Sequence, residues 1–217
     1  MRALAADGEY RRAKGEFVCE GTKLLEEAVM SGAKISSVLW REGGEISHIE
    51  CDRQYLAPQS LFEFASTMKN SPGPVFTVRM APEREERAIN AIVLENVQDP
   101  GNVGTVIRTA AALGLPRVLL LGSCADLYHP KTVRATMGAV FRQRVEEISY
   151  EALDHLNQPL YGAALTAKAV DLRECDLAHE NSIVAIGSEG SGLSERVLAR
   201  CRQEIIIPMV PGNESLN

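Results

Sequence analysis

The feature that most limits the fold is a series of short, mostly apolar runs from residue 89 onward. They fall at residues 89–94, 117–121, 159–165, 182–186 and 204–207, and residues 145–148 read as a further strand. The most uniform of them, such as 89–94, show no polar alternation, which marks strands covered on both faces. Helical stretches lie between the runs. Residues 102–113 place Val106, Ala110 and Leu113 at helical spacing before Gly114, and further helical stretches fall near 150–156 and 194–201. Such alternation predicts an α/β unit with a mainly parallel sheet and helices on both faces. Ligands of such sheets bind beyond the carboxyl ends of the strands. The loops after Leu94, Ile186 and Ile207 are therefore the places to look for chemistry.

The first 80 residues read as a smaller α/β segment. Residues 17–19 form a short strand. Residues 22–30 put Leu24, Leu25, Ala28 and Val29 on one helical face, with Gly32 suited to the stop. A strand at 35–40 follows. A helix opened by Pro58 carries Leu61, Phe62, Ala65 and Met68, and a turn cluster at 70–74 leads into a strand at 75–78. The charged stretch 81–88 has no apolar period and reads as a linker. The expected division is 1–80, linker 81–88, and 89–217.

Composition removes several classes. Of 217 residues, 45% are apolar and 24% charged, a globular balance. No run of 18 apolar residues exists, and the first residues lack the long apolar core of a signal peptide. The net charge of −6 argues against a protein that coats nucleic acid or anionic membrane with its whole surface, but leaves room for a local basic site. Five scattered cysteines, with no Cys-x-x-Cys pair, point to a reducing, cytoplasmic setting. Four scattered histidines give no metal-ligand spacing, so no metal is expected.

Three loops carry the chemistry. In the first, residues 96–108, Pro100-Gly101 makes a tight turn, Asn102 suits a helix N-cap, and Arg108 lies nearly two turns on. A capped helix with a surface arginine would explain it too. In the second, residues 186–193, three glycines let the backbone pass close to a ligand or to itself. Their order fits neither the dinucleotide fingerprint nor a P-loop. Glu189 would repel phosphate and suits a neutral or cationic ligand. In the third, a buried strand runs through Pro208-Met-Val-Pro-Gly212 into Glu214-Ser-Leu-Asn217, which has the look of a helix start.

These three stretches, Asp99-Pro-Gly-Asn-Val-Gly-Thr-Val-Ile-Arg108, Ile186-Gly-Ser-Glu-Gly-Ser-Gly-Leu193, and Ile207-Pro-Met209 with Glu214-Ser-Leu-Asn217, resemble in sequence and order the three motifs of the SpoU (TrmH-type) RNA ribose 2′-O-methyltransferases of the SPOUT superfamily. The resemblance spans about 89–217. The segment 1–80, with Phe17-Val-Cys-Glu-Gly-Thr22 opening a helix, more weakly resembles the family's L30e-like substrate-binding domain. The resemblance implies a SPOUT trefoil knot, which no periodicity argument would produce. It also implies S-adenosylmethionine as cofactor and a homodimer with residues of both chains near each site. By matching positions, cofactor contacts would fall on Gly187, Ile207 and Leu216, with Gly192 and Met209 beside them. Asn102, Arg108, Glu189, Ser215 and Asn217 would face the reaction. The substrate implied is RNA, ribosomal more than transfer RNA; a silent RNA-binding homologue is the competing class. The family pattern continues into an apolar helix where this sequence stops, so a C-terminal truncation is expected.

RNA binding needs cations. Arginine stays charged, so Arg108 can stabilise a developing alkoxide or hold a phosphate without acting as a base. Glu189 is an alternative proton acceptor, or a group that orients Arg108. Two basic clusters stand out: Lys131, Arg134, Arg142 and Arg144, within an acid-free stretch at 129–144, and Arg11 and Arg12 beside Lys14.

Overall fold

The computed structural model describes residues 1–71, 73–82, 90–175, 177 and 181–210. The expected linker is described only at residues 81 and 82. Ser215, Leu216 and Asn217 lie outside the described residues, as does the start of the strand expected from residue 89. The chain forms two compact units, Met1–Glu85 with Asp126–Arg142, and Glu86–Ala125 with Gln143–Asn217.

The first unit opens with two short helices, α1 (Arg2–Ala6) and α2 (Gly8–Lys14). Asp7 caps α2 by accepting from the backbone of Glu9 and Tyr10, and Gly15 ends it in the left-handed region at φ 61°. Then come β1 (Glu16–Glu20), α3 (Thr22–Met30), β2 (Ile35–Arg41), β3 (Arg53–Ala57), α4 (Gln59–Ala65) and β4 (Val75–Arg79). The sheet order is β1-β4-β2-β3, with β4 antiparallel to both neighbours and β3 parallel to β2.

Both faces of this sheet are covered. Phe17, Cys19, Val38, Trp40, Phe76 and Val78 join Leu24, Leu25 and Ala28 of α3 in one cluster. Val18, Leu39 and Val75 point the other way, to Phe62 and Ala65 of α4 and Leu4 of α1. Val29 and Leu61, expected on the inner helical faces, are instead exposed. The narrower stripes at 24, 25, 28 and at 62, 65 already fill the space against the sheet.

The second unit begins with β5 (Ala91–Glu95), α5 (Pro100–Ala112) and β6 (Arg117–Leu121). The α5 helix starts at Pro100, and its buried stripe is Val103, Ile107 and Ala110. That period carries Val106 to a half-buried position. Leu113, at the cap where the helix has ended, is 72% exposed, so the expected inward set shifts. After α6 (Pro130–Ala135) the chain continues with β7 (Arg144–Ile148), α7 (Tyr150–Asp154), β8 (Leu160–Ala163), β9 (Val170–Asp171), β10 (Ile183–Ile186), α8 (Glu195–Arg200) and β11 (Gln203–Ile206). The sheet order is β7-β6-β5-β10-β8-β11-β9, and every registered pair is parallel. One face carries Val93, Leu119, Leu121, Leu160, Ile183 and Ala185 against Leu153 of α7 and Val197 of α8.

Asp126–Arg142, with α6, belongs to the first unit, although it sits in sequence between two strands of the second. Val133 enters the core beside Phe17 and Trp40, and Tyr128 lies 4.6 Å from Phe17, ring centroid to centroid. Arg11 clamps the segment from the other side. Its guanidinium donates to Leu4 O at 2.6 Å and Ala5 O at 3.2 Å, and pairs with Asp126 Oδ2 at 2.5 Å. Arg11 is 3% exposed, which corrects its assignment to an RNA-binding cluster: a guanidinium buried this deeply and paired with Asp126 cannot reach a phosphate. Arg12 is exposed.

Asp126→Ala should lower the free energy of unfolding by about 3 kcal/mol, because it strands a buried guanidinium. Arg12→Ala should stay within about 0.5 kcal/mol. Urea titrations of both variants check this, and equal effects would contradict it.

Candidate functional site

The site is built where β5 and β10, neighbours in the parallel sheet, reach their carboxyl ends. The last residue of β5 is Glu95, which has no exposed surface. Its oxygens accept from Tyr150 Oη at 2.9 Å, Ser194 Oγ at 2.6 Å and Ser194 N at 2.8 Å. A buried carboxylate needs donors, and these come from the starts of α7 and α8. Burial, reinforced by the bond to Glu95, pushes the Tyr150 hydroxyl above its usual pKa, so it remains a donor at neutral pH.

Directly after Glu95 the backbone turns. Asn96 has φ 55°, and its Oδ1 accepts from Ser123 N at 2.8 Å. Gly122, at φ 70°, has no room for a side chain: a Cβ there would lie 2.4 Å from Asn96 Oδ1. Asp99, not Asn102, caps α5 by accepting from Asn102 N at 3.0 Å. Asn102 therefore sits inside the first turn, and its side chain is free to donate from Nδ2 to Glu189 Oε1 of the second loop.

That second loop closes on itself. Ser188 and Gly192 form a bridge, Gly192 N donates to Ser188 O at 2.9 Å, and the hydroxyls of Ser188 and Ser191 are 2.7 Å apart. Gly192 is left-handed at φ 66°. A Cβ on Gly187 would lie 2.0 Å from the Gly192 carbonyl carbon. The glycine pattern thus has two sources, one conformational and one steric. Ser194 then caps α8 through Val197 N while donating to Glu95.

The third loop follows β11. Ile207 is 54% exposed and Val210 is exposed, while Met209 is half-buried. Leu165, just past the neighbouring β8, is exposed as well. Apolar side chains at the ends of two adjacent strands suit an apolar or aromatic ligand group.

The structure therefore brings Asn102 and Glu189 together, with Gly187 and Gly192 in the same loop as Glu189. It does not join Arg108 to them by a hydrogen bond. Arg108 is exposed on α5, with no hydrogen bond or ion pair to any described residue. The expected acid-free strip is not one free surface. Lys131, Arg134 and Arg142 belong to the first unit and Arg144 to the second. Arg142 pairs with Glu27 at 2.7 Å and Arg144 with Glu146 at 2.5 Å, so carboxylates from outside the stretch or at its edge offset both cations. Glu95, Tyr150 and Ser194 went unnoticed in the sequence. The one available signal was an acid closing the apolar run Ala91-Ile-Val-Leu-Glu95. Among the described residues no cluster of three or more potential metal ligands exists.

Residues 90–217 match the SpoU rRNA methylase family. An uncharacterized tRNA/rRNA methyltransferase of Synechocystis sp. is 33% identical over 95% of this chain and 81% of its own length. The 23S rRNA (guanosine(2553)-2′-O)-methyltransferase of Bacillus subtilis is 30% identical over 93% of this chain and 83% of its own. An AdoMet-bound rRNA methyltransferase from Sinorhizobium meliloti superposes with a TM-score of 0.83 at 25% identity, over 100% of this chain and 87% of that one. The chain belongs to the SpoU rRNA methylase family. It is an RNA methyltransferase, and its methyl donor is S-adenosylmethionine.

Residues present fit such a cofactor on two counts. The carboxylate of Glu189 suits a cationic sulfonium, and the steric demand at Gly187 marks a loop compact enough for backbone groups to reach a ligand. Gly187→Ala should lose about 1–3 kcal/mol of stability to overpacking and lose cofactor binding. Gly190→Ala, with nothing within 4 Å of its Cβ, should keep both. Thermal melts and calorimetry with S-adenosylmethionine test the pair, and similar behaviour of the two variants would contradict the steric argument.

Proposed function

We propose that this chain methylates the ribose 2′-hydroxyl of a nucleotide in ribosomal RNA. The observation that carries the reading is the hydrogen bond from Asn102 to Glu189, which ties the loops after β5 and β10 at the carboxyl end of the sheet. The Bacillus relative, which covers most of the chain, acts on 23S rRNA at a guanosine 2′-oxygen, and this supports ribosomal RNA over transfer RNA.

S-adenosylmethionine supplies the electrophilic methyl group. Gly187, Gly192, Ile207, Met209 and Leu216 would hold it. Glu189, held by Asn102, would offer its carboxylate to the cationic sulfonium. The Arg108 guanidinium serves as an electrostatic partner for the developing 2′-alkoxide or the adjoining phosphate. Ser215 and Asn217 complete the substrate side. The same reading includes a trefoil knot in residues 89–217, an L30e-like domain at 1–80 joined by the linker 81–88, and a homodimer in the cytoplasm. It also has Lys131, Arg134 and Arg12 contacting RNA. The exposed, unpaired Arg108 is compatible with a side chain reserved for a ligand.

Arg108→Ala should cut methyl incorporation into ribosomal RNA by about 10²–10³-fold, the scale of a lost transition-state donor. Its affinity for S-adenosylmethionine should change less than about twofold, because the group acts on the substrate. Labelled-methyl transfer and calorimetry on the same preparation decide. Loss of cofactor binding with the substitution would make Arg108 a structural residue, and wild-type protein that incorporates no methyl would leave only an RNA binder.

A further inference from the structure

The first unit contains an open cleft of about 290 Å³ that the methyl-transfer site does not use. Arg2, Thr67, His129, Pro130 and Arg134 line it, and among the described residues no carboxylate does. Two guanidinium groups and an imidazole in one recess are an unusual concentration of donors for an acidic chain.

Each donor is held in place. Arg134 Nη1 donates to Thr67 Oγ1 at 3.0 Å. Thr67 in turn donates from its hydroxyl, at 2.7 Å, and from its backbone N–H, at 2.9 Å, to the buried Glu20. Glu20 thus fixes the arginine through a neutral hydroxyl without pairing with it, and the remaining guanidinium donors have no partner among the described residues. Arg2 lies over the Phe64 ring, 5.2 Å from its centroid. His129 accepts from Lys131 N at its Nδ1 atom, 3.2 Å away, so its neutral form carries the proton on Nε2 and presents a donor there. Asp126, the nearby acid, is occupied by Arg11 and by Tyr128 N at 2.8 Å.

We propose that this cleft binds a phosphodiester group of a single RNA strand. The proposal rests on the reading of the chain as acting on RNA and adds to it a second, non-catalytic contact. A free phosphate shares the tetrahedral anion, but the exposed Phe64 ring beside Arg2, with 64% of its surface open, offers a stacking platform that only a nucleotide uses. Fixed donors lose little freedom when they bind, which favours recognition of one phosphate over diffuse attraction.

His129 reports occupancy without turnover. Desolvation, with the charges of Arg11, Arg134 and Lys131, holds its pKa below 6.5 against the opposing pull of Asp126. A bound anion reverses that balance and raises the midpoint. The experiment uses the full chain without cofactor. A short single-stranded RNA and, separately, inorganic phosphate are titrated while the His129 ring signals are followed by NMR. RNA should shift those signals and raise the midpoint, at concentrations at least tenfold below those phosphate needs. Arg134→Gln and Arg2→Ala should each weaken RNA binding about three- to tenfold and reduce the salt slope by roughly 0.7, the value for one lost phosphate contact on a single strand. Arg2 is exposed on a short helix, so its variant keeps the test valid should Arg134→Gln fold poorly. Unmoved His129 signals, or unchanged affinity and slope in Arg2→Ala, would overturn the proposal, as would equal responses to phosphate and RNA. Methyl incorporation by the same preparation reports on the catalytic reading separately.

Discussion

A carboxylate with no exposed surface dictates how its neighbours are placed, because each unmet oxygen would carry the full cost of lost hydration. Glu95 is that group. Its three donors come from Tyr150 and Ser194, 55 and 99 residues further along the chain. One side chain at the end of β5 thereby fixes the start of two helices and the far end of the glycine loop. The rest of the site follows from this anchor. With Ser194 held, the turn from Gly187 must close tightly, and the contact of Glu189 with Asn102 becomes a consequence of two loops pinned at a common point.

The fold was legible wherever a residue's environment is set by its own segment. The apolar runs became the parallel sheet because strands buried on both faces leave no polar alternation, and helix 22–30 was readable from its apolar stripe and Gly32. The three loops were legible because tight turns restrict residue type, as the crowding at Gly187 shows. What stayed hidden was set by partners remote in sequence. β3 is a weakly apolar edge strand that exists through its pairing with β2. Segment 126–142 looks like any connection between strands, and only the apolar pocket around Phe17 and Trp40 determines that Val133 docks there.

Arginine is the residue on which sequence reading failed most, for a physical reason. A basic cluster in sequence signals a cationic surface only if its members reach solvent and lack partners, and neither property is local. Arg11 and Arg12 are adjacent, yet one is sealed in the first unit by two carbonyls and Asp126 while the other is exposed. Arg142 and Arg144 meet Glu27 and Glu146. Arg2, Arg108 and Arg134 form no ion pair with any described residue, yet they are spread over the sequence and make no cluster in it.

This sorting resolves how a chain of net charge −6 can handle a polyanion. Net charge sets the long-range field, which salt screens within about 8–10 Å. Contact depends on what lies inside that distance, where a few guanidinium groups with no adjacent carboxylate outweigh a distant acidic surface. The protein achieves this by occupying its nearby acids internally: Asp126 with Arg11, and Glu20 with Ser66 and Thr67. An acid satisfied by a buried partner no longer competes for Arg134. The acidic surplus then works against indiscriminate binding, because an RNA that cannot place a phosphate at a prepared donor set meets a surface that repels it.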